Sequence, residues 1–226
     1  NASHYEVAVQ GACIFANSWN NLGEGELTPM GIYQMNQSEG YEVKPFLINS
    51  AVYSNGGGAF IGNDFWFIWK QRDPTGQMTL CQRERLNLTT GKRENLGVCS
   101  NDLMATAAGT AVDPTTGNVY GIFWDSESMT SRQLGIVDYP NGTRTTIATI
   151  SQSLYALCCD SAGQLYAVTQ SGKLVKVDKE DGMLTEVGNT GVKPSVMQAA
   201  AVDQYTNKMY WAAVFKDEKG NDAAAL

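Results

Sequence analysis

A turn made of two polar residues and a glycine recurs four times along the chain, at Ser38-Glu39-Gly40, Thr89-Thr90-Gly91, Pro140-Asn141-Gly142 and Glu180-Asp181-Gly182, each time between two strand-like segments. The glycines lie 51, 51 and 40 residues apart, a period that belongs to repeated supersecondary units. Glycine takes positive φ without steric cost, so these tripeptides suit tight hairpins between antiparallel strands. One hairpin repeated at this interval is the signature of blades in a β-propeller.

A second register agrees with the first. Asp113, Asp160 and Asp203 each close a strand of small residues, at Gly109-Thr110-Ala111-Val112-Asp113, Ala156-Leu157-Cys158-Cys159-Asp160 and Ala199-Ala200-Ala201-Val202-Asp203. A short turn follows each, and then a strand holding Tyr120, Tyr166 or Tyr210. An aspartate at one place in every repeat solves a local problem: its side-chain oxygen accepts from nearby backbone N–H groups in an Asx turn. That reading is preferred to a calcium or paired-carboxylate site, although carboxylates are suitable Ca²⁺ ligands. The three tyrosines read as packing between blades.

With the glycine turns as the third hairpin of each unit, alternation and turn signals fill in the remaining strands. The fold class is all-β, a propeller of four-stranded antiparallel blades in one domain. Blades are expected at 4–48, 55–98, 107–149 and 154–188, with an incomplete fifth over 197–226 whose third strand is cut off. About four and a half blades are therefore visible. Either His4 to Val9 completes the last blade and closes a five-bladed ring, or the chain is part of a larger propeller continuing beyond Leu226, which is the favoured reading because the fifth repeat stops in mid-pattern. The small-residue face of the first strands, with Gly109, Ala111, Ala156, Cys158, Ala199 and Ala201, is expected to line the crowded centre, and the opposite parity to pack between sheets.

The chain of 226 residues is long enough to bury a substantial core. Its net charge of −7, with no run of Lys or Arg, argues against nucleic acid or an anionic membrane surface as partner. No apolar run approaches the ~20 residues that span a bilayer, and Asn1-Ala2-Ser3 opens the chain without a signal-like apolar segment. Five cysteines, Cys13, Cys81, Cys99, Cys158 and Cys159, lack CxxC spacing; they are read as buried free thiols, and Cys158 and Cys159 should point to opposite sheet faces. Asn1, Asn36, Asn87 and Asn141 open Asn-x-Ser/Thr triplets, read as chance occurrences.

The stretch Val112-Asp113-Pro114-Thr115-Thr116-Gly117-Asn118-Val119-Tyr120, with Leu174-Val175-Lys176-Val177-Asp178 leading to Asp181-Gly182 and Gly188, resembles repeats of secreted or envelope-associated bacterial β-propellers, loosely the NHL and YVTN groups. The likeness is clear over about 105–215 and weak before it. It implies an extracytoplasmic location and a ligand- or protein-binding module, and such propellers are sometimes enzymes.

Chemistry is sparse. The only histidine is His4, which disfavours a Ser-His-Asp mechanism, and no GxSxG, Walker, HExxH or EF-hand motif is present. Gly56-Gly57-Gly58 leads into Ala59-Phe60-Ile61 without a helix start, so it reads as a close-packed inner strand and not as a phosphate cradle. No catalytic residue, metal ligand or cofactor is assigned. Residues that break the repeat, in loops entering the first strand and joining the second to the third, are the binding candidates: Trp19, Tyr53, Trp69, Arg72, Asn101, Asp102, Trp124, Asp125, Tyr155 and Gln198, with Lys216 beside them. Trp69 and Trp124 end the second strands of successive blades and suit a shelf for a sugar or peptide, although tryptophan at such positions also serves edge packing. The leading function is a non-catalytic extracytoplasmic module for a protein or glycan. The alternatives are a propeller hydrolase or lyase with an acidic and aromatic central pocket, or a purely structural repeat array. The sequence assigns no ligand and no oligomeric state.

Overall fold

A computed structural model describes residues 13–14, 31–36, 42–48, 54–72, 78–87, 89–99, 106–125, 130–195 and 198–226. The chain is all-β, a β-propeller of antiparallel sheets. The first sheet holds β1 (Cys13–Ile14), β2 (Gly31–Asn36) and β3 (Glu42–Ile48). The second holds β4 (Ser54–Ile61), β5 (Asp64–Arg72), β6 (Met78–Asn87) and β7 (Arg93–Val98), and the third β8 (Thr106–Val112), β9 (Val119–Asp125), β10 (Thr130–Asp138) and β11 (Thr143–Thr149). The fourth holds β12 (Leu154–Cys159), β13 (Leu165–Thr169), β14 (Lys173–Val177) and β15 (Leu184–Asn189). The fifth holds β16 (Ala199–Asp203), β17 (Lys208–Lys216) and β18 (Asp222–Ala225). Each strand pairs with the next in sequence, so every sheet is a meander.

The fifth sheet differs from expectation, since its third strand is present. Asp217 is the reason: its Oδ1 accepts from the backbone N–H of Lys219 at 2.9 Å and of Asn221 at 2.8 Å, turning the chain so that Lys216 pairs with Asp222. A run of Ala223, Ala224 and Ala225 carries little strand signal of its own; the turn before it does the specifying.

Asx chemistry recurs at the hairpins as the sequence implies. Asp113 Oδ1 accepts from Thr115 N at 2.8 Å, Asp160 Oδ1 from Ala162 N at 3.0 Å and Gln164 N at 2.8 Å, and Asp203 Oδ1 from Tyr205 N at 2.9 Å. At the third hairpins, Asn87 Oδ1 holds Thr89 N at 3.0 Å and Thr90 N at 2.8 Å, and Asp178 Oδ1 holds Glu180 N at 2.7 Å. The Asn-x-Thr triplet at Asn87 thus coincides with a turn device: asparagine caps the turn and threonine follows within it. Gly91, Gly142 and Gly182 close three of these hairpins at φ of 68°, 70° and 73°.

Neighbouring sheets pack face to face around two apolar clusters. Between the second and third sheets lie Ala59, Ile68, Cys81 and Cys99 against Val119, Phe123, Val137 and Tyr139. Between the third and fourth lie Ala111, Tyr120, Ile122 and Leu134 against Leu154, Leu157, Cys159, Leu165 and Val175. Burying such side chains contributes roughly 1.5–3 kcal/mol each. Polar ties cross the same seams: Thr110 Oγ1 donates to Gly58 O at 2.6 Å, Arg83 Nη1 to Tyr139 O at 2.8 Å, and Lys179 Nζ to Asp113 Oδ2 at 2.8 Å. From the fifth sheet, Gln204 Nε2 donates to Cys159 O at 3.0 Å, while Asn207 Oδ1 accepts from Ser161 N at 3.1 Å.

The cysteines depart from the all-thiol expectation. Cys81 and Cys99 form a disulfide with their Cα atoms 5.7 Å apart. The cause is the hairpin register: Gln82 pairs with Val98, so the flanking cysteines face each other, and Cys99 N donates to Cys81 O at 3.1 Å. Cys158 and Cys159 remain free and buried. Cys13 lies on β1, and its side chain is outside the described residues, as is the His4 to Val9 segment.

Candidate functional site

Four first strands, β4, β8, β12 and β16, are each paired on one side only within their sheets, and together they enclose a central cavity of about 200 Å³. Its wall includes Gly58, Ala59, Thr110, Ala111, Cys158 and Ala201. Val112, Cys159 and Val202 line it as well, so both side-chain parities reach the centre. The expectation that one parity alone would face the axis is corrected here. In a radial blade the edge of the first strand points inward, while its two faces point to the neighbouring blades. Ala111 accordingly packs toward the fourth sheet and Val112 toward the second. Close packing on this strand is severe at Gly58, where a Cβ would stand 2.4 Å from the Phe65 ring.

The cavity opens among the first hairpin turns, where Pro114 and Gln204 contribute to its wall. Burial pushes the thiols of Cys158 and Cys159 up to about 12, with the charges of Cys159 and Asp160 adding at Cys158 and that of Asp113 adding at Cys159. Thiols held protonated this firmly are poor nucleophiles.

The repeated aspartates occupy the same end and are structural. Asp113 is completely buried. Burial drives its carboxyl up, but the Lys179 ammonium and donors from Thr115 and Thr116 outweigh that and hold it well below the usual carboxylate range. Asp203 is likewise buried, and donors from Thr206 and Tyr205 lower its carboxyl against the opposing effect of burial. Burial, with the Asp160 charge and hydrogen bond, raises the Tyr166 hydroxyl. Among the described residues, no three His, Cys, Asp or Glu side chains converge as a metal site.

The described binding candidates belong to the opposite rim, where first strands begin and second strands end. Trp19, Tyr53, Asn101 and Asp102 lie outside the described residues. Trp69 and Arg72 sit at the end of β5, Trp69 opposite Asn55 and Gln82, Arg72 opposite Met78; their side chains are outside the description. Trp124 and Asp125 end β9 opposite Ser131 and Thr130. Trp124 is 37% exposed, and Asp125 is half-buried. Tyr155, also half-buried, stands at the start of β12, where its carbonyl accepts from Gln198 N at 2.7 Å. The Gln198 amide is committed within the protein: Oε1 accepts from Trp211 Nε1 at 2.8 Å, and Nε2 donates to Val214 O. Lys216 pairs with Asp222 at 2.6 Å.

Two features of this geometry were not anticipated. The cavity lies at the first-hairpin end, away from the candidate loops; the small residues Ala111, Cys158 and Ala201 were its signal. Trp211 acts as a partner of Gln198, and its place in the middle of a strand gave no hint of that.

No family model matches the chain, and no curated protein matches it in sequence. Among solved structures, TolB from Acinetobacter baumannii superposes with a TM-score of 0.50 at 11% identity, over 87% of this chain and 45% of TolB. Regucalcin from Agrobacterium tumefaciens, a calcium-binding protein, gives 0.49 at 11% identity over 80% of this chain and 61% of that one. A Bacteroides thetaiotaomicron protein of unknown function gives 0.48 at 14% identity over 78% and 44%. The chain thus spans from under half to about three fifths of the length of the structures it resembles. Identity this low speaks to fold alone: in its sheet topology, and in its likeness to TolB, the chain is a β-propeller.

Proposed function

We propose that the chain is a non-catalytic, extracytoplasmic β-propeller module, akin to the secreted and envelope propellers of the NHL and YVTN kind, which binds a protein or glycan at the rim bearing Trp124. The observation that carries this reading is the exposure of the Trp124 indole, 37% on a strand whose preceding residues, Val119 through Phe123, are all buried. An aromatic ring held at the end of a rigid strand contributes large contact area at small entropic cost. The cavity at the far end supports binding over chemistry, because its described wall offers apolar side chains, the uncharged polar groups of Thr110 and Gln204, and thiols held protonated. The Cys81–Cys99 disulfide supports an oxidising compartment, where such bonds persist.

The test is a screen of the purified chain against a glycan array and an envelope-protein extract, in parallel with the Trp124→Ala variant and the Trp69→Ala/Trp124→Ala double variant. Binding that is lost in both variants, with near-UV circular dichroism retained, is the expected result. Turnover of chromogenic glycosides or esters that survives in the variants would replace the binding reading with an enzymatic one.

A further inference from the structure

The rim around Trp124 also has a chemical character, which narrows its ligand. From the third sheet to the fourth, the connection after β11 presents Ser151 and Gln152, and the β13–β14 turn presents Gln170 and Ser171, all exposed. Asn189 ends β15 at the same rim, exposed, with its Oδ1 accepting from Gly191 N at 2.9 Å. These are amides and hydroxyls without formal charge. The Gln152 and Gln170 amides make no hydrogen bond to another described residue, so two donors and an acceptor on each are open to a ligand. Lys173, one strand position inward, is neutralised by Glu186 at 2.6 Å.

The composition differs from that of a protein-docking patch. Cores of such patches are apolar and enriched in Tyr, Trp, Met and Arg. At the seam between the third and fourth sheets, one exposed indole stands among small neutral polar groups: of the other large exposed apolar side chains among the described residues, Met183, Val187, Tyr205 and Leu226 lie along the outer strand or at the opposite end, and Val98 ends β7 at this rim on the second sheet. A phosphorylated, sulfated or uronic ligand would call for clustered cations, whereas among the described residues of this rim Lys173 and Lys216 are neutralised by Glu186 and Asp222, leaving Lys193.

Resting on the binding reading above, we infer that the ligand is a neutral glycan. The apolar C–H face of a sugar ring stacks on Trp124, and its hydroxyls exchange hydrogen bonds with Gln152, Gln170 and Ser151. No bond is made or broken. The contact is electrically neutral, so its strength is insensitive to salt, unlike attraction between exposed charges.

Affinity electrophoresis in native gels tests this, with soluble starch, laminarin, yeast mannan or dextran cast in separate gels and heparin in another. The expected result is retardation by at least one neutral polysaccharide, unchanged when salt rises from about 0.05 to 0.5 M. Its apparent affinity should fall about tenfold or more in Trp124→Ala and a few-fold in Gln152→Ala and Gln170→Ala, changes typical of a stacking anchor and its polar neighbours. Trp124→Phe, which keeps a ring, should retain most of the binding and covers the case in which the alanine variant fails to fold. Failure of all four neutral polysaccharides to retard the chain, or salt-sensitive retardation by heparin alone, overturns the glycan inference. Trp124-dependent capture of a protein in place of a glycan also overturns it, and leaves the binding-module reading standing. Neutral-glycan retardation indifferent to Trp124 and to both glutamines removes the rim from both.

Discussion

Replacing Lys179 with methionine isolates an electrostatic tie between two blades. Lys179 rises from the β14–β15 hairpin and donates to Asp113 Oδ2 at 2.8 Å across the seam with the third sheet. Removing one member of a buried pair costs about 3–5 kcal/mol, because the remaining charge is left uncompensated in a poorly solvating site. Asp113 is fully buried, but Lys179 is 32% exposed, and Asp113 Oδ1 keeps its bonds to Thr115 N and Oγ1. The lower end, about 3 kcal/mol, is therefore expected near neutral pH, or roughly 6–12 °C in Tm for a domain of this size. The pH dependence fixes the mechanism. Asp113 is held below its ordinary range in the folded chain, so its contribution is complete above the unfolded pKa of about 3.9 and is lost as pH falls through the lower folded value. Lys179→Met removes much of that depression, so wild type and variant should converge as pH drops below about 4. Urea unfolding followed by tryptophan fluorescence, from pH 7 to pH 3, reads both quantities. Equal stability at pH 7, or a gap that stays constant through the acid range, would refute the reasoning.

Three further outcomes follow from the packing. The Cys81–Cys99 disulfide closes a loop with a sequence separation of 18, so Cys81→Ser/Cys99→Ser should lose about 3 kcal/mol in a chain-entropy account, measured as a shift in urea midpoint against the oxidised chain. Gly172 has φ of +84°, and a Cβ there would stand 2.0 Å from Val192 O; Gly172→Ala should cost about 2 kcal/mol or more through strain and clash, read in the same assay. Cys158 and Cys159 should react with an aromatic disulfide reagent only after unfolding, since both are buried and their thiols are pushed up to about 12; immediate reaction of the native chain at pH 8 would contradict their placement.

What the sequence discloses here is largely turn chemistry. Asn87, Asp113, Asp160, Asp178 and Asp203 act through backbone groups two to four residues away, so a local reading finds them. The same locality explains the legible propeller: each blade is a meander whose pairings join adjacent segments. The disulfide depends on hairpin register, yet a signal was available, since Cys81 and Cys99 stand nine residues on either side of Thr90 in the turn. Strand β18 was missed because an alanine run has weak strand preference, and only the Asp217 turn specifies it. The candidate site is harder to read. The sequence places Trp124 at a strand end, but whether an indole there is buried or open depends on the third and fourth sheets meeting, which no local pattern reveals. Gln198 illustrates the converse: a residue in a promising loop proves to have its amide bound to Trp211 and Val214.

Hydrogen exchange of the full chain, with and without a ligand retained in the screen, tests the central claim most directly, because the two ends of the sheets carry different peptides. Binding at the Trp124 rim predicts slower exchange confined to the end of β9, residues 150–153 and residues 170–172. Protection centred instead on residues 113–118, 160–164 and 203–207, around the mouth of the central cavity, would contradict it.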